Sequence, residues 1–146
     1  MTQPSQQSDA FIFGSQPLGY YGLGVENNWN KAAKIDLADL IIEDLQEKYG
    51  TRLEHMEQLP KLAFRAALVT YLYQMEVWAA EADTIPENLI DEAIDRVCPD
   101  FWEDKSDLCF HLQEIATLNA QRIEALVEAL TSQLRHDRKF THKEWA

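Results

Sequence analysis

Carboxylates and histidines are the side chains of this chain that could hold a metal ion. A di-metal site in a helical bundle needs a Glu-x-x-His pair on each of two helices and a glutamate from each of the other two. The sequence contains no Glu-x-x-His, and its nearest element, His111 followed by Glu114, has the reverse order. Both side chains are expected to point away from the apolar stripe of their helix, as surface residues. We therefore predict no metal site and no cofactor.

Motifs for hydrolysis and phosphate binding are also absent from the sequence. There is no glycine-rich loop ending in Lys-Ser or Lys-Thr, no Gly-x-Ser-x-Gly and no His-Glu-x-x-His. His55 stands beside Glu54 and Glu57, but such near neighbours on a short helix point in different directions, so an exposed histidine is expected. We predict no catalytic residue and a protein that is not an enzyme. A small helical metal-binding enzyme is the least favoured alternative.

Cys98 and Cys109 bracket an acidic connection, and a disulfide between them would require their backbones to lie close together. Disulfides are uncommon in a reducing cytosol, and clustered carboxylates raise the pKa of a thiol and lower its reactivity. We expect two reduced, half-buried cysteines rather than a redox switch.

Acidic residues at helical spacing are the strongest positive feature of the sequence. Between residues 84 and 107, eight acids stand against two bases, so this segment carries −6 of the net charge of −12. Four further acids recur along one predicted helix without intervening lysines and repel one another: Asp36, Asp39, Glu43 and Glu47. Such strips are either a solvated surface that keeps the protein soluble or a surface that steers a basic protein partner.

The net charge excludes direct binding of nucleic acid, because 25 acidic side chains against 13 basic ones create a field that repels phosphates. Mimicry of nucleic acid is not excluded, and it requires carboxylates spaced like phosphates over one continuous surface. The N-terminal residues do not resemble a signal peptide. The most apolar stretch, residues 62–80, holds Arg65, Gln74 and Glu76, so it is a poor membrane span. We expect a cytoplasmic protein that binds neither nucleic acid nor membrane.

The elements that position these residues are predicted from apolar periodicity. No segment alternates as a strand does, and we predict an all-α fold, a compact bundle of four main helices plus a short helical turn. The helices are expected over residues 31–49, 60–82, 84–97 and 107–135, and the turn over 52–58. Asn119 falls inside the apolar stripe of the last helix, where it either fixes the helix register or sits at the edge of the stripe.

The helix over residues 60–82 has two apolar faces, one with Phe64, Leu68, Tyr71 and Met75 and the other with Leu62, Val69, Leu72 and Tyr73. A helix of this kind must bury both faces. It is therefore either central in the bundle or shared between the core and a partner, and a homodimer is one way to satisfy it.

Residues 1–30 differ from the rest, since they hold four of the five glycines and no helical period. We divide the chain into a partly disordered N-terminal arm over 1–30, a helical domain over 31–135 and a basic tail over 136–146. The arm carries large aromatic side chains, which favour burial: Phe13, Tyr20, Tyr21 and Trp29. It either packs across its own domain or docks on a partner.

These patterns predict a non-enzymatic protein–protein interaction factor: an adaptor, assembly chaperone, inhibitor or immunity-type protein. The arm aromatics would act as anchors on the partner, and the four acids of the first helix would steer a basic partner surface. The alternative is an acidic mimic of nucleic acid that blocks a DNA- or RNA-binding protein.

Overall fold

The computed structural model describes residues 16–23, 37–82 and 84–137. Within these ranges there is no strand, and the predicted all-α class is confirmed. The elements are a 3-10 turn at Leu18–Tyr21 and five α-helices: α1 Leu37–Tyr49, α2 Gln58–Glu81, α3 Leu89–Val97, α4 Lys105–Ile115 and α5 Ala120–Asp137.

The 24-residue helix α2 is central, because α3, α4 and α5 all pack against it. Its buried side carries Phe64 and Leu68, with the small Ala63 and Ala67 beside them. Fully or almost fully buried residues from the other helices complete one core: Ile42 and Leu45 of α1, Ile94 of α3, Leu112 and Ile115 of α4, and Ile123, Leu126 and Leu130 of α5. No described helix is long and apolar enough to cross a membrane.

The last helix of the prediction is two helices, so the described chain has five α-helices where four were expected. The helix α4 ends at Ile115, and α5 begins at Ala120. At the end of α4, the hydroxyl of Thr117 donates to the carbonyl of Glu114 at 2.6 Å, which competes with continuation of the helix. The hydroxyl of Tyr71 on α2 donates to the Ala116 carbonyl at 3.1 Å and satisfies one of the carbonyls left free there.

Asn119 begins α5 rather than interrupting a longer helix. Its Oδ1 accepts a hydrogen bond from the backbone N–H of Arg122 at 2.8 Å, the geometry of an N-cap, and its side chain is exposed. Asn119 therefore caps α5 and does not fix the register of a longer helix.

The connection between α1 and α2 is a tight reversal, and the helix predicted over 52–58 is not present. Gly50 has a φ of 96°, as expected for a left-handed cap at the end of a helix. Leu53 also has a positive φ, 55°, which is unfavourable for a branched side chain. Its side chain is fully buried in the core, and this burial offsets the backbone strain.

The described part of the arm packs on its own domain. Leu18 and Leu23 are fully buried in the core, and the 3-10 turn contacts α5. The N–H of Leu18 donates to the carbonyl of Thr51 at 2.8 Å, which ties the arm to the reversal between α1 and α2. Residues 1–15 and 24–30 of the arm lie outside the described residues, as does the tail from 138 onward.

Replacement of the cap residue should destabilise the domain. We expect Asn119→Ala to lower the free energy of unfolding by about 1 kcal/mol, because the first turn of α5 loses its side-chain acceptor. Urea unfolding measures the change. Asn119→Ser keeps an acceptor and should remain near the wild type, and equal stabilities for the alanine and serine variants would contradict the capping role.

Candidate interaction surfaces

The acids predicted along the first helix do not form a uniform surface. Asp39 is only 2% exposed, and its Oδ1 accepts a hydrogen bond from Arg122 Nη1 at 3.2 Å. Asp39 therefore does not stand on a solvated strip, contrary to the expectation from sequence, because Arg122 compensates its charge within the fold. Glu43 is half-buried and Glu47 is exposed, whereas Asp36 lies outside the described residues.

Lysines form ion pairs with three carboxylates of the acidic segment between residues 84 and 107: Asp95, Asp100 and Asp107. Lys105 Nζ lies 3.4 Å from Asp95 Oδ1 and also hydrogen-bonds Asp100, which holds the pKa of the Asp100 carboxyl below its ordinary value. Lys48 of α1 pairs with Asp107 of α4 at 3.1 Å, and this hydrogen bond raises the pKa of the lysine. The pairs link α3 to α4 and α1 to α4, although exposed ion pairs contribute little to stability.

The second apolar face predicted for the central helix is exposed only in part, because Leu62 is half-buried and Leu72 packs against the core. Val69 and Tyr73 lie one turn apart on α2 and are 47% and 65% exposed. Tyr73 is nine positions from Phe64, which places it on the opposite side of the helix from the core. The domain therefore buries the side of α2 that carries Phe64 and Leu68 and leaves Val69 and Tyr73 accessible on the opposite side.

A second apolar surface lies where the α3–α4 connection meets the start of α2. Phe101 is 83% exposed and Leu59 is 62% exposed. They belong to a cleft of about 280 Å³ lined by Leu59, Pro60, Phe101, Trp102, Glu103 and Asp104. This cleft was not predicted from the sequence, because the proximity of Phe101 and Trp102 to Leu59 depends on the tertiary fold.

The two tyrosines of the arm have different surroundings. Tyr20 is 68% exposed, whereas Tyr21 is half-buried and packs against the core. Their rings meet edge to face with centroids 5.1 Å apart. Tyr20 is thus available at the surface, while Tyr21 stabilises the attachment of the arm. The other two predicted anchors, Phe13 and Trp29, lie outside the described residues.

The groups considered for chemistry do not assemble into a reactive site in the described chain. Both thiols are free, and burial raises the pKa of Cys98 and of Cys109. His111 is buried rather than on the surface as expected, because Tyr49 of α1 covers it with ring centroids 5.6 Å apart. Burial lowers the pKa of His111. Among the residues described, no three His, Cys, Asp or Glu side chains are grouped to hold a metal ion.

A cavity of about 290 Å³ lies between the α1–α2 connection and the end of α5, and Gln133 forms part of its wall. Gln133 is fully buried, and neither polar atom of its side chain has a hydrogen-bond partner in the described chain. An unsatisfied buried polar group costs about 1–3 kcal/mol. The wall is otherwise formed largely by polar and charged side chains, including Arg52 and Lys61.

Comparison of the chain with protein-family models, curated proteins and solved structures finds no significant match.

Removal of the buried amide should stabilise the protein. We expect Gln133→Met, which keeps the length of the side chain, to raise the free energy of unfolding by about 1–2 kcal/mol. Urea unfolding measures the difference. Gln121→Met on the exposed side of the same helix is the control, with an expected change within about 0.5 kcal/mol. Loss of stability in the Gln133 variant would mean that the amide is satisfied in solution.

Removal of the buried Asp39 carboxylate should lower the free energy of unfolding. Breaking a buried ion pair at one partner costs about 3–5 kcal/mol, and partial exposure of Arg122 reduces this, so we expect Asp39→Ala to cost about 2–3 kcal/mol. Glu47→Ala, an exposed acid on the same helix, should change stability by less than about 0.5 kcal/mol. Similar losses in the two variants, measured by urea unfolding, would refute the distinction between a structural and a solvated acid.

Proposed function

We propose that this chain is a non-enzymatic protein–protein interaction factor that binds a partner with a basic surface. Its class is that of an adaptor, assembly chaperone, inhibitor or immunity-type protein. The observation that carries the proposal is the exposed apolar face of α2 at Val69 and Tyr73. Single exposed apolar residues are ordinary on protein surfaces, but a large aromatic and a β-branched residue one turn apart on the central helix favour a binding face.

The charge of the chain favours a basic partner over a second copy of itself. Two copies at −12 each repel one another, whereas a basic surface is attracted and its approach is accelerated. Glu47 on α1 is exposed and available for such steering, and Glu43 is half-buried beside it. Tyr20 of the arm is an additional anchor in this proposal.

Binding through apolar anchors is favoured over mimicry of nucleic acid. A mimic requires a continuous surface of free carboxylates, and four of the carboxylates that would build it are engaged by basic side chains within the domain: Asp39, Asp95, Asp100 and Asp107. The exposed apolar side chains have no role in a phosphate mimic. Binding through Val69 and Tyr73 of α2 gives exposed apolar side chains a role and requires no continuous surface of free carboxylates.

Affinity capture from an extract of cells that make the protein tests the proposal. The full-length chain should enrich a specific partner with a basic surface, and Val69→Gln with Tyr73→Gln should reduce its recovery at least about tenfold, because the anchors of the interface are lost. Quantitative mass spectrometry measures recovery, and urea unfolding checks that the variant remains folded.

The matched control is Leu37→Gln with Leu40→Gln, which removes two exposed apolar residues from α1 instead. This control should retain the partner. Failure of the wild type to enrich any protein, or equal recovery with both double variants, would refute the proposal. Light scattering that shows a dimer dissociated by the α2 substitutions would assign the face to a second copy of the chain.

A further inference from the structure

The cleft formed by the start of α2 and the α3–α4 connection has a defined shape although its apolar side chains are exposed. The Trp102 side chain packs against the core, and the Trp102 backbone N–H donates to the carbonyl of Pro99 at 3.3 Å. The Lys105 backbone N–H donates to the Trp102 carbonyl at 3.2 Å, and the Lys105 side chain bridges Asp95 and Asp100. The connection is thus held at both ends, so the cleft is preorganised and loses little conformational entropy when it is filled.

The lining of the cleft combines apolar walls with negative charge. Four of the six lining residues are apolar, the other two are Glu103 and Asp104, and none is basic. Both acids are exposed. Lys105 is the nearest base in sequence, and it already pairs with Asp95 and Asp100. A side chain entering the cleft therefore meets apolar surface inside and two exposed carboxylates at the rim, of which Asp104 also interacts with Lys48 at long range.

We propose that this cleft binds a peptide segment of the partner in which one leucine or aromatic side chain is flanked by lysine or arginine. The inference rests on the proposed function and names a second contact site for the same partner. The apolar side chain fills the space between Leu59, Phe101 and Trp102, and the basic flanks lie beside Glu103 and Asp104. The volume of about 280 Å³ is below the roughly 300–1,000 Å³ of clefts that enclose a drug-sized ligand, so it suits a single side chain.

The recognition is divided between two kinds of contact. Burial of the anchor supplies most of the affinity, because a few large apolar side chains dominate such interfaces. The carboxylates supply selectivity for basic flanks and a faster encounter that weakens with salt. The two contributions can be separated by substitution, since Phe101 and Glu103 lie in the same connection but make different contacts.

Selection from three libraries of displayed 12-residue peptides tests the inference on the full-length protein. The first library has one Leu, Phe or Trp flanked by four Lys or Arg residues, the second replaces the apolar residue by Ser, and the third replaces the bases by Glu. Only the first should be enriched. Fluorescence anisotropy of an enriched, labelled peptide then gives affinities for the variants.

Phe101→Ser should weaken the selected peptide at least about tenfold, because the anchor loses one wall of its cleft. Glu103→Gln with Asp104→Asn should weaken it severalfold at low salt and flatten its salt dependence. The controls are Phe110→Ser, an aromatic 53% exposed on α4 outside the cleft, and Glu87→Gln with Glu124→Gln, two exposed acids elsewhere. Both controls should leave the affinity within about twofold.

No enrichment of the first library, equal enrichment of the other two, or binding unaffected by Phe101→Ser would overturn the inference. These results are distinct from failure of the proposed function. If a cellular partner is captured and depends on Val69 and Tyr73 but not on Phe101, the cleft inference falls and the proposed function stands. If no cellular partner is captured, the proposed function falls, and with it the assignment of the cleft to that partner.

Discussion

The burial of one face of α2 is the constraint on which the rest of the structure depends. Three helices cover this face, and Phe64, fully buried, lies at its centre. Apolar burial contributes about 25 cal/mol for each Å² removed from water, so the covered face accounts for much of the stability of a domain this small. Val69 and Tyr73 lie on the side of α2 that these helices leave uncovered.

The negative charge of the chain performs two different tasks. One group of carboxylates lies against bases and joins helices that are distant in sequence, as Asp39 joins α1 to Arg122 of α5. Another group, which includes Glu47, Glu103 and Asp104, remains exposed, and the last two line the apolar cleft. Exposed apolar surface promotes self-association, and a large net charge opposes it. The net charge of −12 therefore opposes association of two copies through these apolar surfaces.

The apolar periodicity of the sequence predicted the helical class. It also predicted the ends of α1 and α3, because each helix carries one clear apolar face and ends shortly before a helix-terminating residue, Gly50 or Pro99. It missed the break between α4 and α5, since Leu112 and Ile123 are eleven positions apart, about three turns, and stay in phase across the gap. It also missed features fixed by distant contacts. The partner of Asp39 is 83 positions away, and the left-handed conformation of Leu53 is favoured only after its side chain enters the core.

The position of the arm has a consequence for how the chain folds as it is synthesised. Leu18 and Leu23 leave the ribosome before the residues of α5 that their turn contacts, which lie roughly 100 residues later in the chain. At about 5–20 residues per second, these contacts with α5 can form only roughly 5–20 s after the two leucines are synthesised. Completion of the core therefore requires both the arm and α5, and the arm is an integral part of the core.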